Sequence, residues 1–158
     1  MHFKKILFAT DFSDVSRHAR TLVAGLRDAG LEEVVLVHVI DVRRIEVMEE
    51  PSGWVAPSGG FERDVKERIH SIGQKNLKEL QVQLEKAGFT VRPLLVDGIP
   101  WREIVTIADD ENVDLIVVGS HGRSDIMQML LGSVSENVIR HARQPVLVVR
   151  REWEPHDE

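Results

Sequence analysis

Val113-Asp114-Leu115-Ile116-Val117-Val118-Gly119-Ser120-His121-Gly122, followed after nine residues by Gly132-Ser133, sets a strand, a glycine-rich turn and a helix start in succession. The apolar run ending at Gly119 has the length and β-branched content of a buried strand, and Val134 to Ala142 repeats apolar residues at helical intervals. A strand that empties through a glycine-punctuated loop into a helix N-terminus is a place for phosphate. Glycines let a ligand approach the backbone closely, and the first amides of a helix have no internal acceptor and favour anions.

The same alternation covers the chain on either side of this segment. Phe3 to Ala9 reads as a strand and Asp14 to Ala29 as a helix closed by Gly30. Glu33 to Ile40 is a continuous valine-rich strand, and Asp41 to Gly60, with Pro51, Gly53, Pro57, Gly59 and Gly60, reads as a loop. Phe61 to Ala87 is a long helix stopped by Gly88, and Phe89 to Val96 a third strand. Pro100 opens a short helix to Asp110, as proline does at a first turn. Ser133 to Arg140 is a helix, Pro145 to Arg150 a fifth strand, and 151–158 a polar tail. Strands apolar on both faces, alternating with helices, make an α/β fold: an open parallel sheet covered on each side, in a single domain over residues 1–150. Ligands of such sheets bind beyond the strand C-termini, where the strand order reverses. Thr10-Asp11-Phe12-Ser13, the segment after Val39 and the glycine loop gather there if the first, second and fourth strands are neighbours.

Composition excludes several classes. The 158 residues suit one domain with a real core, and a formal net charge of -6 argues against nonspecific nucleic-acid or anionic-membrane partners. Cysteine is absent, which removes disulfides, thiolate nucleophiles and Cys-zinc sites. The opening Met1-His2-Phe3-Lys4-Lys5 has no signal-peptide pattern, no apolar run approaches membrane length, and a cytoplasmic protein is expected. The histidines show no metal-ligand spacing, and His38, inside an apolar strand, reads as a satisfied core residue. No Gly-Lys pair exists for a P-loop, the turn after the first strand lacks glycine for a dinucleotide fingerprint, and Gly119-Ser120-His121-Gly122 does not fit a nucleophile elbow. Ser133 with Glu136 also satisfies a capping box, so Ser133 has a structural reading beside the functional one. Asp11 likewise reads either as a turn residue or as a ligand.

The glycine spacing after a strand ending in Val-Val-Gly resembles that of the nucleotide-binding members of the universal stress protein family. The resemblance extends over nearly the whole chain. Ile6 to Ser13 is similar to the family's opening strand and acidic turn, Leu36 to Ile40 to its second strand, Asp114 to Arg123 with Leu131 to Ser135 to its glycine loop, and Pro145 to Val149 to its last strand. The family implies strand order 3-2-1-4-5 and ATP bound over the strand C-termini, with Mg2+ or Mn2+ accompanying the nucleotide. Carried over by residue, Ala9, Thr10 and Val39 would face adenine, and Asp11 the ribose or the metal-bound phosphates. Val118 and Gly119 would border the nucleoside, while Gly122, Arg123, Gly132, Ser133, Val134 and Ser135 would wrap the phosphates. The family also implies a homodimer through the last strand, Pro145 to Arg150. The function expected is that of an ATP-binding stress-response regulator that switches conformation and an unknown protein partner. A slow ATP hydrolase and a dimerising protein without nucleotide are the alternatives.

Overall fold

A computed structural model describes residues 3–48, 60–120 and 131–150. The elements run β1 (Lys5–Ala9), α1 (Asp14–Gly25), β2 (Glu33–Asp41), α2 (Val42–Met48), α3 (Gly60–Lys86), β3 (Thr90–Gly98), α4 (Pro100–Asp110), β4 (Leu115–Gly119), α5 (Ser133–His141) and β5 (Val146–Val149). The five strands form one sheet in the order β3-β2-β1-β4-β5, and every pairing is parallel. The expected α/β architecture and strand order are therefore present.

The order explains the layers. The chain steps from β1 to β2 to β3 in one direction, then jumps back to β4 and continues to β5 in the other. Crossovers of one hand consequently put the first helices on one face and the later ones on the opposite face. On one side Ile6, Phe8, Val34, Leu36 and Val117 pack against Ala19 and Val23 of α1 and Leu77, Leu80 and Leu84 of α3. On the other, Leu7, Val35, Val37, Ile116 and Val118 pack against Ile104 and Ala108 of α4 and Val138 of α5. Alternate residues of β1, β2 and β4 thus feed two cores, which is why these strands read as continuous apolar runs. Each fully buried side chain of this kind contributes about 1.5–3 kcal/mol. Pro93 withdraws one donor from the exposed edge strand β3, which discourages pairing there.

Helix stops follow local chemistry. Gly88 has φ +96, and Phe89 N–H donates to Leu84 O at 3.2 Å while Gly88 N–H reaches Glu85 O at 3.0 Å, the double closure that needs a left-handed residue. Helix α1 stops at Gly25, short of the expected Ala29, and the chain reaches Gly30 through tight turns such as Gly30 N–H to Arg27 O at 3.1 Å. Strand β4 begins at Leu115 because Asp114 turns its carboxylate to the start of β1, accepting from Lys4 N–H at 2.9 Å and Lys5 N–H at 3.0 Å.

One expectation needs correcting: the segment from Asp41 is not loop throughout. Val42–Met48 is helical, and Asp41 is its N-cap, accepting Arg43 N–H at 3.1 Å and the guanidinium through Nε at 2.9 Å. The contact with Arg43 holds the Asp41 carboxyl below its ordinary value. Residues 49–59 and the tail 151–158 lie outside the described residues.

Candidate functional site

The pairing of β1 with β2 on one side and β4 on the other places the C-terminal ends of three strands side by side. Thr10 extends the ladder by one bond, donating its N–H to Val37 O at 2.9 Å, and is buried. The turn that follows is tied by its own side chains: Phe12 N–H donates to Thr10 Oγ1 at 3.1 Å and Ser13 N–H to Asp11 Oδ1 at 2.9 Å. Asp11 therefore has its turn role in the folded chain, alongside whatever it offers a ligand. Phe12 stands at φ 60, a left-handed conformation that disfavours a bulky residue by about 1–2 kcal/mol. Its ring lies 4.5 Å from that of His38 at an interplanar angle of 47°, a contact worth about 0.5–1.5 kcal/mol, which offsets much of that strain.

Across the sheet, Gly119 pairs with Val149 and Ser120 N–H donates to Val149 O at 2.8 Å. Ser120 is only 1% exposed, and its carbonyl is a hub: Gly132 N–H reaches it at 2.6 Å and Ser135 Oγ at 3.2 Å. Ser135 Oγ also contacts Gly132 O at 2.9 Å, so its single hydroxyl hydrogen is shared between two carbonyls of the chain. The Ser135 hydroxyl hydrogen is thus directed into the chain's own carbonyls.

The N-cap of α5 is Gly132, not Ser133, and no side chain caps it. Glu136 pairs with Arg140 at 2.8 Å instead of closing a capping box. Gly132 has φ -64 and ψ 156, an extended conformation open to any residue, so glycine is not required there by backbone geometry. The first backbone bond of the helix is Glu136 N–H to Gly132 O at 3.0 Å, and the amides of Ser133, Val134 and Ser135 precede the first possible intrahelical acceptor. Ser133 is exposed at this end. Val134 packs in the same cluster as Ala9, Val39 and Val118.

The folded chain thus brings together Ala9, Thr10, Asp11, Val39, Val118, Gly119, Gly132, Ser133, Val134 and Ser135 around the ends of β1, β2 and β4 and the start of α5. Gly122 and Arg123 lie outside the described residues. The motif reading passed over three groups that shape this region. Ser120 is the carbonyl hub, and its place between Gly119 and Gly132 was the available signal. Phe12 and His38 meet through the fold alone, with no local signature in sequence. Among the described residues no three of His, Cys, Asp and Glu converge to hold a metal ion, and no helix is long and apolar enough to cross a membrane.

The chain matches the universal stress protein family over residues 2–150 and belongs to it. Universal stress protein MJ0577 of Methanocaldococcus jannaschii is 41% identical over 155 residues, which cover 94% of this chain and 96% of that protein. The solved structure of MJ0577 matches the fold with a TM-score of 0.84 and 41% identity, covering 96% of this chain and 99% of that one. Universal stress protein Rv1636 of Mycobacterium tuberculosis is 34% identical over 154 residues, 93% of this chain and 96% of that protein. A universal stress protein solved in complex with cAMP has a TM-score of 0.64 and 26% identity, covering 95% of this chain and 98% of that one.

Proposed function

We propose that this chain binds ATP over the C-terminal ends of β1, β2 and β4 and serves as a nucleotide-responsive regulator. The observation that carries the reading is the start of α5. Its N-cap is a glycine without a side chain to offer, its first amides precede any helical acceptor, and Ser133 is exposed beside them. Beside this end Ala9 and Val39, both half-buried, border the core that Val118 and Val134 share, and this reading assigns them to the adenine ring. A relative 26% identical to this chain was solved with cAMP, an adenine nucleotide, which supports the ligand class.

The energetics assign shares. A helix terminus acting on an anion supplies about 0.3–1 kcal/mol, too little to hold ATP alone. The amides of Ser133, Val134 and Ser135, the Ser133 hydroxyl, and Gly122 and Arg123 of the glycine loop divide the phosphates among them, charge-assisted bonds contributing most. A hard divalent cation such as Mg2+ takes oxygen ligands and commonly needs only one or two carboxylates beside phosphate. Asp11, in the turn after β1, is the carboxylate assigned that role in this reading.

ATP acts here by shifting populations: its binding favours one arrangement of the segment between Gly119 and Gly132, and that arrangement alters what the surface presents to a partner protein. Such a shift requires different ATP affinities in the two arrangements. β5 sits at the sheet edge and its half-buried valine-rich strand needs cover, which a second copy supplies in a homodimer. Calorimetry with ATP and magnesium, together with analysis of nucleotide carried through purification, tests the reading. Saturable heat supports it; silence at high micromolar protein removes it in favour of a dimerising protein without nucleotide.

A further inference from the structure

β2 carries one imidazole in its aliphatic run, His38 between Val37 and Val39. The pleat sends Val37 and Val39 toward the α4 and α5 side and turns His38 to the opposite face, where Phe12 and Leu95 pack. Helix α3 comes close there through Gly73. A methyl group at Gly73 would sit 3.2 Å from Leu95 Cδ1 and 3.5 Å from His38 Cδ2, so α3 backs the imidazole closely. The imidazole also meets the Phe12 ring, with centroids 4.5 Å apart, and its Nδ1 lies 2.8 Å from Thr10 O. A carbonyl only accepts, so Nδ1 carries the hydrogen and donates it.

Every polar group of Thr10 is thereby engaged. Its amide donates to Val37 O, its hydroxyl accepts from Phe12 N–H, and its carbonyl accepts from His38. Phe12, held at φ 60 against its steric preference, depends on the same imidazole for its ring contact. Asp11 stands between these two fixed residues.

We propose that His38 is a positioning residue for the nucleotide site: acting through Thr10 and Phe12, it holds the Thr10–Ser13 turn in the form that presents Asp11 to the ribose and metal-bound phosphates. This rests on the ATP-binding reading given above. Without the imidazole, the Thr10 carbonyl loses a donor and Phe12 loses the ring contact that offsets part of its left-handed strain. The turn then relaxes toward ordinary backbone angles and carries Asp11 with it.

The geometry makes a specific demand on replacements. The side-chain nitrogen of asparagine stands as many bonds from Cα as imidazole Nδ1 does, so His38→Asn can still donate to Thr10 O. Glutamine places its nitrogen one bond too far, and leucine donates nothing. The test compares His38→Asn, His38→Gln and His38→Leu by amide hydrogen exchange at Phe12 and Ser13 in nucleotide-free protein, and by calorimetry with ATP and magnesium. His38→Leu and His38→Gln lose both the donor and the ring contact and are expected to fall about tenfold or more in protection and in ATP affinity, while His38→Asn keeps the donor, loses only the ring contact and is expected to fall about threefold, between wild type and leucine. If asparagine falls as far as leucine, or all three keep wild-type protection, His38 only fills space and the proposal is overturned. If wild type takes no ATP yet the exchange pattern separates the variants as stated, the ATP reading fails and the positioning of the turn by His38 stands.

Discussion

The amide of Gly132 donates to the carbonyl of Ser120 at 2.6 Å, and this one bond joins the exit of β4 to the entrance of α5. The two ends of the intervening stretch are pinned together, so the first amides of α5 sit at a fixed place beside Gly119. The Ser135 hydroxyl reinforces the junction from inside the helix by reaching both carbonyls.

Two neighbouring serines should accordingly behave oppositely. Ser135→Ala removes a buried hydroxyl that serves two carbonyls and should lower stability by about 1–2 kcal/mol in chemical denaturation. Ser133→Ala, at an exposed position, should leave stability within about 0.5 kcal/mol and weaken ATP binding by about three- to tenfold. Equal effects of the two changes on both quantities would contradict the division.

Gly132 tests close approach without backbone strain. Its φ of -64 and ψ of 156 suit valine as well as glycine. Gly132→Val should therefore fold normally by circular dichroism and melt within a few degrees of wild type, yet lose measurable ATP binding in calorimetry. Unchanged affinity would put the phosphates elsewhere.

Asp41 gives a pH signature. Its carboxyl titrates below the ordinary value of 3.8, first because of the hydrogen bond from Arg43. A depressed folded value means that the contribution is complete above pH 3.8 and disappears as pH falls through the folded value. Asp41→Ala should destabilise the protein by about 0.5–2 kcal/mol at neutral pH through loss of the α2 cap. The gap between wild type and variant should shrink as denaturation is repeated below pH 3.8, leaving the residual effect of a protonated cap.

The edge of β5 can be closed by one residue. Ile116 N–H donates to Pro145 O at 3.0 Å and Ser120 N–H to Val149 O at 2.8 Å, so alternate residues 145, 147 and 149 face β4. Val146 and Val148 then turn their amides outward. Val148→Pro removes an outward donor while sparing the ladder to β4. Sedimentation should give twice the chain mass for wild type and a monomer for the variant; a dimer in both would place the subunit contact on another surface.

The parts legible in sequence were those fixed by local chemistry. Pro100 set the start of α4 and Gly88 the end of α3, and the valine runs of β2 and β4 announced strands covered on both faces. Helix α2 was hidden because it is too short to show a period and the prolines and glycines beyond it dominate the composition; Asp41 before Val42-Arg43-Arg44-Ile45 was the available sign of a cap. The S-x-x-E pattern at Ser133 pointed one residue too far along, since Ser120 captures Gly132 and Arg140 takes Glu136. The left-handed Phe12 could not be read from its residue type, because it is held by the Thr10 and Asp11 turn bonds together with a histidine on a different strand. The candidate site was readable as far as its backbone path, and its internal wiring came from contacts between distant segments.

The most direct test of the account follows the backbone amide resonances of the 15N-labelled protein as ATP and magnesium are added. ATP bound over the strand ends should give saturable shifts largest at Ser133, Val134 and Ser135, accompanied by Thr10, Asp11 and Val39. Shifts that fail to saturate, or that gather on another face while the α5 amides stay still, would contradict it.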